Sequence, residues 1–208
     1  MPKYITEFIG TFFLVFTVAT AAVGGWAPIG FAPLAIGSVL MVMIFAGGHI
    51  SGGHYNPAVS MAVFVRGKMS ASEMIIYWVV QVAAGVVAAL LASSLMDIAA
   101  AEPIAINLTE VVLAEFLFTF ALTFVVLNVA TAKGTEGNSF YGLAIGFTVL
   151  AGAYAVGSVS GGVFNPAVGT GVTILGLLNW TNLGIYAVTQ LVAGAVAGVI
   201  FRVSHPGE

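Results

Sequence analysis

Cysteine is absent from this 208-residue chain, which excludes disulfides and thiolate metal sites. Charge is scarce as well. Only 6% of residues are Asp, Glu, Lys or Arg, against about 25% in a soluble domain. So few charges cannot cover a water-facing surface. With 60% hydrophobic residues and a mean hydropathy of +1.11, the chain reads as an integral, multi-pass membrane protein. Its net charge of -3 offers no basic patch for nucleic acid. No nucleophile–base pair and no cluster of metal ligands stands out, so neither an enzyme, a metal nor a cofactor is expected.

What is present is apolar sequence in long runs. Crossing a bilayer takes about 20 such residues. Six segments qualify: Tyr4–Val23, Ile29–Gly47, Ser72–Leu95, Leu108–Ala130, Ser139–Gly157 and Asn182–Val203. The first is read as a retained span, since it runs past Phe16 with no clear small-residue cleavage site before Ala21. Two shorter stretches remain, Asn56–Val65 and Asn165–Leu175. About ten residues of helix reach only about 15 Å, half a membrane, so these are expected to be re-entrant half-helices. The cations Lys3, Arg66, Lys68, Lys133 and Arg202 fall on one face of a six-span protein. The positive-inside rule then places both termini in the cytoplasm. Asp97, Glu102 and Glu110 fall in or beside an opposite-side loop.

The two halves repeat at an offset of 109. Ser51-Gly-Gly-His-Tyr-Asn-Pro-Ala-Val59 meets Ser160-Gly-Gly-Val-Phe-Asn-Pro-Ala-Val168, and Leu34-Ala-Ile-Gly37 meets Leu143-Ala-Ile-Gly146. Tyr77, Gln81 and Gly85 meet Tyr186, Gln190 and Gly194, while Glu7 meets Glu115 one residue off. The expected units are 1–98 and 107–208, each with three spans and one half-helix. Three is odd, so the halves lie in opposite orientations. Such inverted repeats with paired broken helices point to a solute site at the bilayer midplane.

Asn56-Pro57-Ala58 and Asn165-Pro166-Ala167 each begin a helix: Asn caps, Pro fits the first turn and lacks one orphan N–H, and Ala lets two helix tips pack. Each Asn amide NH2 is left as a donor for a solute. Two helix N-termini meeting at mid-membrane present two positive dipole ends, which repel cations and favour oxygen lone pairs. The residues before each motif, Gly52 to Tyr55 and Gly161 to Phe164, are expected to expose carbonyls to the lumen, because irregular backbone at that depth must be buried or line water.

On these residues the chain strongly resembles the aquaporin, or major intrinsic protein, family. The resemblance covers essentially the whole sequence. It implies an all-α membrane protein: six spans and two half-helices in an inverted 3+3 repeat, forming a right-handed bundle with a pore in each subunit of a homotetramer. Glu7 and Glu115 correspond to family residues that hold the pore loops, so they are read as braces. An intramembrane acid is otherwise a candidate proton relay. His54 either donates into the lumen or ties down its loop. His49 is expected to pack at the start of that loop. Gln81 and Gln190 are expected to bond between helices, and the small residues around Gly85 and Gly194 to permit close helix approach. Trp26, Trp78 and Trp180 are candidate interface markers.

The resemblance breaks at one position. Family members usually carry Arg after the second Asn-Pro-Ala, and the glycerol branch an Asp after that Arg. Here Val168 and Gly169 stand there. Carrying the filter over by distance from the motifs gives Ile36, Ala153, Gly162 and Val168, with no charge and no side-chain donor. Such a filter is wide and apolar, and leaves cation exclusion mainly to the half-helix dipoles. The leading expectation is a passive channel for water, glycerol-sized polyols or ammonia, in the plasma membrane. An ion- or proton-coupled secondary transporter and a non-conducting structural member are the alternatives.

Overall fold

The computed structural model describes residues 1–96 and 107–208; Asp97, Glu102 and the first repeat's expected end at 98 lie outside them. Among these residues eight α-helices follow one another. They are α1 (Pro2–Thr17, continuing as a π-helical turn over Val18–Val23), α2 (Ala32–Ser51), α3 (Pro57–Arg66), α4 (Ala71–Leu95), α5 (Leu108–Thr131), α6 (Tyr141–Ser160), α7 (Pro166–Ile174) and α8 (Trp180–Ser204). No strand occurs among the described residues. Six of the helices are long and apolar enough to cross a membrane. The other two, α3 and α7, have ten and nine residues.

Helix ends follow local chemistry. Ser70, Asn107 and Asn179 cap α4, α5 and α8 by accepting from Glu73, Thr109 and Asn182 N–H groups. Helices α2 and α6 run past the expected ends at Gly47 and Gly157 and stop at Gly52 and Gly161, whose φ values of 87° and 82° are left-handed. His49 therefore sits in the last turn of α2, exposed, rather than in the loop.

Packing exchanges under the repeat. Helix α1 packs on α4 as α5 does on α8, and α3 packs on α8 as α7 does on α4. Helices α2 and α6 meet across the middle. Glycine sets this approach: a Cβ at Gly37 would stand 2.7 Å from the Gly146 carbonyl oxygen. A Cβ at Gly85 would stand 2.6 Å from the Ala167 oxygen, and one at Gly194 would collide with that of Ala58. Long helices thus hold the half-helices by backbone contact, as small-residue membrane interfaces do. Gly85→Ala is expected to cost about 1–3 kcal/mol through overpacking. It would be seen as a lowered melting temperature in detergent, and an unchanged one would show that the contact yields freely.

At the end of the molecule holding the termini, Lys3 pairs with Glu73. Arg66, placed by its sequence in a connection, is instead the last residue of α3 and is buried. Its guanidinium donates to Thr131 Oγ1 (2.8 Å), the Thr131 carbonyl (2.9 Å) and Glu208 (2.8 Å), and lies 4.6 Å from the Phe201 ring centroid. Trp26 and Trp180 are exposed near span ends. Trp78 does not follow them: its indole N–H donates to the Pro57 carbonyl at 2.9 Å, fixing the start of α3.

Candidate functional site: a cavity between two helix N-termini

Each Asn-Pro-Ala segment is capped by its own asparagine. Asn56 Oδ1 accepts from Ala58 N at 2.8 Å, and Asn165 Oδ1 from Ala167 N at 2.9 Å. The amide nitrogens cross over. Asn56 Nδ2 donates to the Phe164 carbonyl and Asn165 Nδ2 to the Tyr55 carbonyl, both at 2.9 Å. An amide NH2 has two hydrogens, so each asparagine spends one on the opposite loop and keeps one. The sequence reading gave both to the lumen and left the Tyr55 and Phe164 carbonyls to line it. The reciprocal bond could not be read there, because its acceptors are backbone atoms.

The backbone is bent to make that bond. Tyr55 and Phe164 both hold φ of 48°, the only non-glycine residues with positive φ among those described. A left-handed residue costs about 1–2 kcal/mol, and such strain collects where surrounding contacts fix it. Those contacts are the two buried glutamates. Glu7 accepts from Ser51 Oγ (2.7 Å), His54 N (2.9 Å), Tyr55 N (2.7 Å) and Gln81 Nε2 (2.9 Å). Glu115 accepts from Ser160 Oγ (2.7 Å), Val163 N (3.0 Å), Phe164 N (2.7 Å) and Gln190 Nε2 (2.8 Å). Tyr77 and Tyr186 complete each frame by donating to the Ser51 and Ser160 carbonyls. The repeat had paired these tyrosines in sequence without giving them a partner.

The halves differ at one polar cluster. His54 Nδ1 lies 3.0 Å from Ser60 Oγ, to which Gln81 also donates. Val163 and Gly169 occupy the equivalent places in the second half.

Between the helix tips lies a cavity of about 250 Å³. Asn56, Asn165, His54, Ile36, Ala153, Gly162 and Val168 line it, whereas Pro57, Ala58, Pro166, Ala167, Glu7 and Glu115 stand behind its wall. Only His54, Asn56 and Asn165 bring polar side chains to it. The rest is aliphatic, aromatic or glycine, including Leu14, Val18, Leu122 and Val126, which carry no sequence signal beyond their helical spacing. Gly162 backs onto Ala153: a Cβ there would stand 3.2 Å from Ala153 Cα. No lining residue is charged, and among the described residues no group of three metal-ligating side chains gathers.

The major intrinsic protein profile matches residues 1–201. This chain belongs to the major intrinsic protein family. It is similar to the probable aquaporin TIP2-2 of Oryza sativa subsp. japonica, at 33% identity over 216 residues spanning 97% of this chain and 86% of that one. Aquaporin NIP1-3 of the same plant is 35% identical over 206 residues, spanning 94% and 71%. Among solved structures, the fold matches that of the aquaglyceroporin from Plasmodium falciparum with a TM-score of 0.77, covering 96% of this chain and 93% of that one at 24% identity. Membership of the major intrinsic protein family makes the chain a channel-family protein and not an enzyme.

Proposed function

We propose that this protein is a passive channel for water and small uncharged solutes, including glycerol-sized polyols and ammonia. Its pore motifs are Asn56-Pro57-Ala58 and Asn165-Pro166-Ala167, and its outer constriction is the uncharged set Ile36, Ala153, Gly162 and Val168. One observation carries the reading: two asparagine amides, each with one N–H to spare, face a cavity whose other side chains are apolar except for His54. Each helix N-terminus contributes about +0.5 of a charge there. A solute oxygen is stabilised at that point and a cation is repelled, with no chemical step required.

The reading treats Glu7, Glu115 and His54 as loop braces. Both carboxylates already hold four donors, which removes the motive for a proton-coupled transporter. Residues 1–98 and 107–208 act as the two inverted repeats of one channel domain. The subunits assemble as a homotetramer in the plasma membrane with both termini cytoplasmic. In support, Lys3 pairs with Glu73, Arg66 pairs with Glu208, and the Lys133 ammonium donates to the neighbouring Gly207 carbonyl, which gathers cations at one end of the molecule.

Stopped-flow measurements on one proteoliposome preparation, comparing water, glycerol, urea, ammonia and proton flux, test the proposal. Flux above empty liposomes for several neutral solutes, with weak temperature dependence, is expected. Uptake that vanishes when the proton gradient is collapsed would sink the channel reading. Permeability equal to that of empty liposomes across the panel would point to the structural member.

A further inference from the structure

The first span changes its winding where it reaches the cavity. Helix α1 is α-helical to Thr17 and π-helical over Val18–Val23, closed by a bond from Gly24 N to the Ala19 carbonyl at 2.7 Å. At the junction the Thr20 hydroxyl donates to the Phe16 carbonyl at 2.9 Å, supplying a donor one turn back where the α-pattern lapses. Gly24 caps the turn in a right-handed conformation, and Gly25, with φ of 65°, then turns the chain away. π-Turns also finish helices in the ordinary way, so what singles this one out is the cavity wall it lies on.

The change of winding decides which side chains face the cavity. An α-helix advances about 100° per residue, so relative to Val18 it would set Ala22 near 40° and Val23 near 140°, off the wall. A π-turn of about 4.4 residues sets them near -30° and +50°. Val18, Ala22 and Val23 do all line the cavity that holds Ile36, Ala153, Gly162 and Val168. In the inverted second half, Leu122 and Val126, the counterparts of Leu14 and Val18, line the same cavity, while the α-helical end of α5 runs toward the other end of the molecule and lines a second cavity of about 490 Å³ there.

We propose that the π-turn is a specificity element: by turning Val23 as well as Ala22 onto the wall, it adds an apolar fifth side to the outer constriction and so sets the size of solute that passes. This rests on the channel reading above, and its test is built to fail separately from it.

Because the chain has no cysteine, single-cysteine variants can be made in the natural background. Ala22→Cys, Val23→Cys and, as an accessible control on the loop, Ile29→Cys are purified. Each is treated with a charged methanethiosulfonate present on both faces of the liposome. Glycerol flux is expected to fall at least fivefold in Ala22→Cys and Val23→Cys, and to stay unchanged in Ile29→Cys and the unmodified chain. Block of Ala22→Cys alone overturns the proposal, since a plain α-helix would give that pattern, and so does block of neither. Intact-mass labelling rates report the exposure of Val23 whether or not solute flows: equal labelling of Ala22→Cys and Val23→Cys without any flux upholds the wall and rejects the channel. Val23→Ala gives a second reading. It should raise the glycerol-to-water permeability ratio about threefold, and an unchanged ratio counts against the wall.

Discussion

Val168→Arg is expected to cut glycerol-sized permeation at least tenfold, with a smaller loss for water and a lower cation leak. A tenfold loss needs only about 1.4 kcal/mol of added barrier. The substitution brings a large side chain and a permanent charge into a cavity of about 250 Å³ that has neither. Val168 is buried on that wall, three residues from Asn165. The guanidinium finds acceptors in the backbone of the Gly161–Gly162 loop, which lines the same space. A solute larger than water then meets a narrower opening, and a cation meets a fixed charge as well as two helix dipoles. Stopped-flow shrinkage and reswelling of proteoliposomes gives both permeabilities in one trace. An unaltered glycerol-to-water ratio would remove Val168 from the constriction.

Glu115→Ala should be the most damaging single change in the second half of the chain. It leaves the Ser160 hydroxyl, the Val163 and Phe164 N–H groups and the Gln190 amide without their acceptor, all in a fully buried pocket. Each buried unpaired donor costs about 1–3 kcal/mol, so four approach the whole stability of an ordinary domain, about 5–15 kcal/mol. The left-handed backbone at Phe164 also loses what fixes it. Little monodisperse protein is expected in detergent, and Glu7→Ala should behave alike. Glu115→Gln keeps one acceptor oxygen and turns an NH2 toward the remaining donors, so it should melt between the parent and Glu115→Ala. An alanine variant melting within about 3 °C of the parent, roughly what 1 kcal/mol shifts a chain of this length, would mean that the carboxylate braces nothing.

The eight α-helices among the described residues could be read from the sequence, because apolar length and the doubled Asn-Pro-Ala are strong signals. Helix ends could not, and the reason lies in glycine. Gly47 and Gly157 look like terminators, yet both fall inside helices. Gly47 is small because the Tyr55 hydroxyl lies against it, while the true stops are Gly52 and Gly161. Composition does not distinguish a glycine that makes room from one that turns the chain. Of the site, the residues were legible and their bonds only in part. The repeat paired Gln81 with Gln190 and Glu7 with Glu115, but nothing in it joined either glutamine to its glutamate, a bond that only the packing of α1 on α4 and α5 on α8 brings about. The π-turn left no mark, since Val-Ala-Thr-Ala-Ala-Val contains no breaker. Nor could the burial of Arg66 be read, because it depends on Thr131 and Glu208, far along the chain.

The crossed asparagine bonds have a consequence for the birth of the protein. The Tyr55 carbonyl awaits an amide 110 residues further on. At about 5–20 residues per second, a ribosome takes roughly 5–20 s to deliver it. During that interval the first re-entrant loop is in the membrane without its partner, and only Glu7 and its neighbours hold it. The first half must therefore wait, partly assembled, for the second to close it, and any factor that lengthens the pause lengthens the exposure of an unfinished pore.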